Sequence, residues 1–399
     1  MISQVHEQFP VDASKPIEDV DNLRNHLAQA AAVELSTIPL YLYSAYSIKS
    51  SQATQSHGAL SAYGSVRAVV VEEMLHLCLV RNILTGVGGG DLLRLYDPGV
   101  MPHYPGPMLH RTPDLCLDLA PCSRKQMNDV FLPLELPAKH AAPPQPDSYN
   151  TLGQFYAAIE KGIEYLDAKG GLWDDARPEV QYVRGYWNND GGGKEFKVVD
   201  LDSAKKALLT IVEQGEGADS PYVPIEPDDP SLYPGQVELS HYARFKAIAD
   251  GDEAIGEVWP VPTNPKVEHL EGDVKELATL FNAAYCFVLC MIDELYVTPT
   301  GEFVANQPNA RYRLERTFIS AMGGLLYPIA SLLVRTSQAF DLNAAPTFEY
   351  HAFEDESPRD ELVRRCDSLL GAFPELGGDD GVRRLIGLLP DVRPLAARA

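Results

Sequence analysis

Residues 69–80, VVVEEMLHLCLV, set two glutamates and a histidine into an otherwise apolar helical run. Glu73 and His76 are three apart, a spacing that puts both side chains on one face of a helix. Val69, Val70, Val71, Met74, Leu75, Leu77 and Leu79 around them mark a segment that a fold has to bury. A carboxylate and an imidazole are costly to bury there without partners. The chain must therefore bring further charged or metal-binding groups to this helix, and few folds do so.

The spacing recurs in VELSHYARF, as Glu238-x-x-His241, within a helix expected over 236–248. Each motif follows a helix that carries a glutamate among apolar residues. The first is Glu34, on the stripe Leu23, Leu27, Ala30, Ala31, Ile38, Tyr41; the second is Glu213, in LLTIVEQGEG. One glutamate from each of two helices, with Glu-x-x-His from each of two others, is the arrangement that holds two iron or manganese ions in a helical bundle. The expected ligands are therefore Glu34, Glu73, His76, Glu213, Glu238 and His241. Carboxylate and imidazole donors without suitably spaced cysteines favour iron, two ions in number, with manganese next.

Other residues compete for these roles. Glu160, in FYAAIEKGIEYL, is the rival of Glu213, although Lys161 and Glu164 beside it suit a surface or supporting position. Glu72 lies four residues before His76 and is read as solvated or as supporting the ligands. Glu34 has a bland alternative as a buried ion pair with Arg24 or Arg67, and ion-pair networks perturb carboxylates without any metal. Tyr41, Tyr156 and Tyr242 are candidates to line an apolar pocket, while most aromatics nearby are ordinary core. His26, His57, His103, His110 and His140 have no carboxylate at ligand spacing and read as structural; Asp293 and Glu294 read as the hydrated end of an apolar helix.

Along the chain, helices are expected over 17–47, with Pro39 loosening the first of them, and over 59–85, stopped by Gly86 and Gly88-Gly89-Gly90. The proline-rich stretch 91–149 reads as an irregular crossover. Further helices follow at 151–166, with Thr151 as N-cap, and at 203–214. Between them VQYVRGYWNNDGGGKEFKVVD reads as a hairpin. Long helices at 267–297 and 310–340, the second broken near Gly323, Gly324 and Pro328, precede a last one at 359–373 and a basic tail. The fold expected is mainly α, a helical bundle with a long crossover, a small hairpin insertion and extra C-terminal helices. Residues 17–340 form its domain, 91–200 its crossover and insertion, and 341–399 an extension.

A net charge of -23 argues against nucleic acid and anionic membranes as partners. No leader-like segment and no uninterrupted apolar run of about 18 residues stands out, so a cytoplasmic location is expected. The six cysteines are dispersed, and Cys286 and Cys290 sit among apolar neighbours as core thiols.

The stretches LRNHLAQAAAVELSTIPLYLYSAYSI, VVVEEMLHLCLVRNILTGVGG, YNTLGQFYAAIEKGIEYL and IVEQGEGADSP with ELSHYARF resemble the bacterial ferritin-like domain family. That family includes the ferritin-like part of iminophenyl-pyruvate dimer synthases of violacein-type pigment biosynthesis, which are much larger chains. The resemblance covers roughly residues 17–340 and implies a ferritin-like fold. By analogy it implies an enzyme that oxidises a small amino-acid-derived or aromatic metabolite, with dioxygen as co-substrate and oxidative coupling within reach. A non-catalytic iron-storage protein and a scaffold partner with a vestigial metal site are the alternatives, and a homo-oligomer is compatible with either.

Overall fold

In a computed structural model the chain is described over residues 4–49, 61–108, 114–137, 148–183, 194–215, 222–224, 237–300, 310–338, 341–353, 357–378 and 381–395. His57, His110, His140 and the turn of the expected 180–199 hairpin lie outside these residues.

After a short helix α1, Gln4–Gln8, two long helices form the middle of the molecule: α2, Val20–Ser47, and α3, Ala62–Gly86. Both start on side-chain caps, Asp19 accepting from the Asn22 amide and Ser61 from that of Gly64. Both are buried around nearly their whole circumference, as expected of helices packed on every side. They run antiparallel: Arg24 near the start of α2 donates to the Val87 carbonyl just past the end of α3, 2.9 Å away. The same register sets Thr37 against Glu73 and Glu34 against His76. Pro39 lies inside α2 and cannot bond the Leu35 carbonyl. The next carbonyl, that of Ser36, takes a side-chain donor, Tyr104 Oη (2.5 Å).

One face of this pair is covered by four elements. In the crossover, Arg124–Gln126, the π-turn Met127–Phe131 and Leu132–Leu134 run together as a helix, α4. Helix α5 is Leu152–Lys169, capped by Thr151 as expected; α6 is Leu201–Gly215 and α7 is His241–Asp250. A methyl group at Gly162 would come within 2.7 Å of Ile17 Cβ, so glycine there lets α5 close onto the chain entering α2.

The opposite face is covered by α8, Gly272–Leu295, and by α9, which runs Ala310–Ala321, Met322–Leu326 and Tyr327–Arg335. Helices α10, Pro358–Leu369, and α11, Val382–Leu388, pack outside these. The break expected near Gly323 and Pro328 is the π-turn Met322–Leu326. In both α4 and α9 a π-turn ends two residues before a proline, Pro133 and Pro328, whose ring and missing N–H disfavour an unbroken α-ladder. Gly272–Leu295 and Arg311–Arg335 are long and apolar enough to cross a membrane by length and composition. The first is packed inside the protein over most of its length.

Asp293 is not a hydrated helix end. It is buried on α8 and accepts from Arg81 Nη1 (2.9 Å) and from the amides of Leu95 (2.9 Å) and Tyr96 (3.0 Å), which ties α8 to α3 and the crossover. Among the described residues strands are few: β1, Gly106–Pro107, pairs with β2, Cys116–Leu117, and β3, Tyr222–Pro224, pairs with β4, Val237–Leu239. The described arms of the 180–199 segment are joined by a side chain, Gln181 bonding both the N–H and C=O of Val198 at 2.7 Å. The six cysteines are free thiols, and Cys286 and Cys290 are buried.

Candidate metal centre

Between α2 and α3 and the α4–α7 cover lies a fully buried polar cluster. Helix α2 contributes Glu34, Thr37 and Tyr41; α3 contributes Glu72, Glu73 and His76. Glu135 enters from the end of α4, Tyr156 from α5, Gln214 from α6, and His241 and Arg244 from the first turn of α7. Against these apolar surroundings four carboxylates meet two imidazoles and one guanidinium.

The two imidazoles stack with centroids 5.3 Å apart. Each turns Nδ1 toward the carboxylates. His76 Nδ1 is 3.6 Å from Glu34 Oε2 and 3.8 Å from Glu73 Oε2; His241 Nδ1 is 2.9 Å from Glu73 Oε1 and 3.7 Å from Glu135 Oε2. Glu73 therefore stands between the rings, one oxygen toward each, with Glu34 beyond His76 and Glu135 beyond His241. Their outer nitrogens are anchored: His76 Nε2 lies 3.0 Å from Gln214 Oε1, and His241 Nε2 lies 2.8 Å from Glu72 Oε2. Glu72 also takes Arg244 Nη2 at 3.1 Å. An acceptor on Nε2 keeps the proton there and leaves the Nδ1 lone pair for a ligand, the pairing that accompanies metal-binding histidines.

The carboxylates are held in turn. Tyr156 Oη donates to Glu34 Oε1, Tyr41 Oη to Glu135 Oε1 (2.5 Å) and Thr37 Oγ1 to Glu73 Oε2 (2.9 Å). Phe131 and Phe245 close around the Tyr41 ring with centroids 4.6 and 5.0 Å away.

The donor set fits a cation. His241 Nδ1 is buried and makes no hydrogen bond although a Glu73 oxygen lies 2.9 Å away, so this nitrogen is left for a ligand that displaces its proton. Ligand atoms of Glu73, His76 and His241 lie within 4.8 Å of one another. Two donors bonded to one ion at about 2.0–2.2 Å are at most about 4.4 Å apart, a span that includes the four Nδ1-to-carboxylate distances above. Charge agrees. Burial opposes charging His76, yet Glu34 and Glu73 outweigh it and raise its pKa to about 10; His241 is raised in the same way, by Glu135, Glu72 and Glu73. Burial, with the charge of Glu73, pushes Glu34 up to about 7. For Glu73 burial is overcome by the two histidines, which hold it below the usual carboxylate range. The cluster attracts positive charge, and the imidazoles take it up as protons.

Of the residues expected from sequence, Glu34, Glu73, His76 and His241 come together here. Glu213 does not. The buried stripe of α6 is Ala204, Ala207, Leu208, Ile211, Gln214, and Glu213 stands about 100° off it, half-exposed. Its neighbour Gln214 meets His76 instead. Glu238 is not on a helix with His241: α7 begins at His241, and Glu238 lies on β4 opposite Val223, its side chain outside the described part of the structure. Glu160 is on the outer side of α5, paired with Lys205 at 3.2 Å. Glu72 is buried and anchors an imidazole. Tyr41 and Tyr156 donate to carboxylates, while Tyr242 is only half-buried.

The carboxylate missed is Glu135, and with it the supporting Thr37, Gln214 and Arg244. Glu135 sits in LPLELP, in a stretch read as an irregular crossover. Leucines at 132, 134 and 136 were the available sign that this glutamate is drawn inward. It carries no motif.

A ferritin-like family model matches residues 27–250, which contain every residue of the cluster. Among curated proteins the chain is 27% identical to a dichlorochromopyrrolate synthase of Lentzea aerocolonigenes, across 92% of this chain and 40% of that protein. It is 25% identical to a 2-imino-3-(indol-3-yl)propanoate dimerase of Chromobacterium violaceum, across 92% and 39%. The chain thus spans about two-fifths of the length of these relatives. A ferritin-like protein from Caulobacter vibrioides has the same fold, with a TM-score of 0.55 at 21% identity, covering 83% of this chain and 99% of that one. The matched family and the buried cluster inside the matched segment lead to one assignment: the chain belongs to the ferritin-like family.

Proposed function

We propose that the chain is a metal-dependent oxidase with a two-ion centre, iron first and manganese next, that acts on a small aromatic, amino-acid-derived metabolite and couples it oxidatively. The observation that carries this is Glu73 set between two outward-anchored imidazoles, each with a further carboxylate beside it. Glu34, Glu73 and His76 would hold one ion, and Glu73, Glu135 and His241 the other. When bound, two such ions supply dioxygen binding and two-electron oxidation.

The chain's own residues set the conditions. Gln214 and Glu72 fix the imidazole orientation, and Arg244 balances part of the charge. Tyr156, Tyr41 and Thr37 hold the carboxylates in place. The cluster is buried, so bulk water is kept from it.

Both curated relatives are enzymes by name, a synthase and a dimerase, and the substrate named for the second is an aromatic imino acid. Joining two such units at carbon removes two protons and two electrons, which dioxygen accepts. The test is anaerobic iron loading with metal analysis, followed by oxygen uptake and mass spectrometry with imino acids generated from aromatic amino acids. Iron bound with a coupled product of twice the substrate mass less two hydrogens supports the reading. Less than one iron per chain, unaffected by Glu73→Ala and His76→Ala, contradicts it.

A further inference from the structure

On the side of α2 and α3 that faces the C-terminal helices lies a cavity of about 90 Å³. Leu35, Leu77, Val288, Leu289, Phe318 and Leu326 are among the residues that make its wall almost wholly apolar. None of the carboxylates or histidines of the cluster borders it, although Leu35 and Leu77 are chain neighbours of Glu34 and His76.

Of the polar side chains in its wall, two carry a buried atom without a hydrogen-bond partner. Arg81 and Tyr285 both border the cavity and are only 2% and 3% exposed. Arg81 spends Nη1 on Asp293, yet its Nη2 has no hydrogen-bond partner. Tyr285 Oη has none either. A buried donor without an acceptor is unfavourable, and two of them bordering one apolar cavity describe a site for a molecule that brings the acceptor.

We propose that this cavity is a binding site for a neutral, one-ring aromatic molecule carrying an acceptor oxygen, which Arg81 Nη2 and Tyr285 Oη hold. Size sets the ring count: an apolar cavity of about 150 Å³ takes benzene, so this one, at about 90 Å³, admits a single ring only as its wall gives way and has no room for a fused pair. Met74 and Met322 in the wall supply pliable surface that adapts to a flat ring. Neutrality follows from Asp293, 2.9 Å from Arg81, which already balances that charge. A carboxylate entering here would be a buried anion in excess. A ketone, aldehyde or ester oxygen accepts from both donors without adding charge. This site is independent of metal at the carboxylate cluster, and its test needs none.

The metal-free chain of residues 1–399 is titrated with acetophenone, toluene and benzoate by calorimetry. Acetophenone is expected to bind tightest, toluene about three- to tenfold more weakly for want of the acceptor, and benzoate more weakly still. Tyr285→Phe removes only the hydroxyl; it is expected to bring acetophenone toward the toluene value, leave toluene unchanged and raise the melting temperature of the unliganded protein. Ile292→Trp, which fills the cavity from its half-buried edge, is expected to abolish binding of both. Acetophenone binding no tighter than toluene, or unchanged in Tyr285→Phe, overturns the proposal; benzoate binding tightest overturns its neutral character.

Discussion

Gln214 and Glu213 are adjacent, and only one of them faces the cluster, so exchanging each in turn separates the geometry from the motif. Gln214→Leu keeps the side-chain volume and removes the acceptor 3.0 Å from His76 Nε2. A buried imidazole N–H left without an acceptor costs about 1–3 kcal/mol. Loss of an outer partner to a metal-binding histidine weakens metal binding about 10- to 100-fold, or about 1.4–2.7 kcal/mol. The effect should fall on one ion: the one beside Glu34 and His76. His241 keeps its own anchor, Glu72, at 2.8 Å. Glu213→Ala, at a half-exposed position, should change stability by no more than about 0.5 kcal/mol and leave metal binding untouched. Anaerobic iron(II) titration with a competing chelator resolves the two binding steps. One weakened and one unchanged step in Gln214→Leu, with both unchanged in Glu213→Ala, is the expected result. Weakening by Glu213→Ala, or none by Gln214→Leu, refutes the assignment of α6.

Three further perturbations probe neighbouring parts. Below about 10 the His76 imidazole of the metal-free chain holds a proton that an ion must displace, so metal affinity should rise from pH 6 to 9 with proton release, as calorimetry in buffers of different ionisation enthalpy measures. The same raised pKa stabilises the metal-free fold fully below 6.5 and loses that contribution as pH rises through about 10, which urea titrations across the range detect. Tyr41→Phe removes the donor to Glu135 and should lower stability by about 1–3 kcal/mol in thermal unfolding, with iron binding weakened on the His241 side. Asp293→Ala leaves Arg81 buried without its partner and should cost about 3–5 kcal/mol in urea unfolding; a cost under about 1 kcal/mol would mean Arg81 finds water.

Much of this was legible in the chain because helices advertise their buried face. The stripe through Glu34 and the apolar run around Glu73 and His76 could be read from spacing alone, and the fold class with them. His241 was found through a motif that does not exist in space: Glu238 is on β4, and His241 opens the helix that follows it. The error at α6 came from judging Glu213 by apolar neighbours in sequence, whereas a one-residue step rotates a side chain by about 100°. Glu135 escaped because its helix is short, runs through a π-turn and contains Pro133, which together erase the periodicity that would have marked an inward position. Glu72 stays open between a solvated and a supporting position in the sequence because nothing local indicates a partner; Arg244 and His241 lie about 170 positions away.

The central claim is that Glu73 is shared between two ions. Anomalous diffraction from iron-loaded crystals tests it most directly. Two peaks about 3.5–4 Å apart are expected, one among Glu34, Glu73 and His76, the other among Glu73, Glu135 and His241. A single peak, or a peak with no Glu73 oxygen bound to it, would contradict the account.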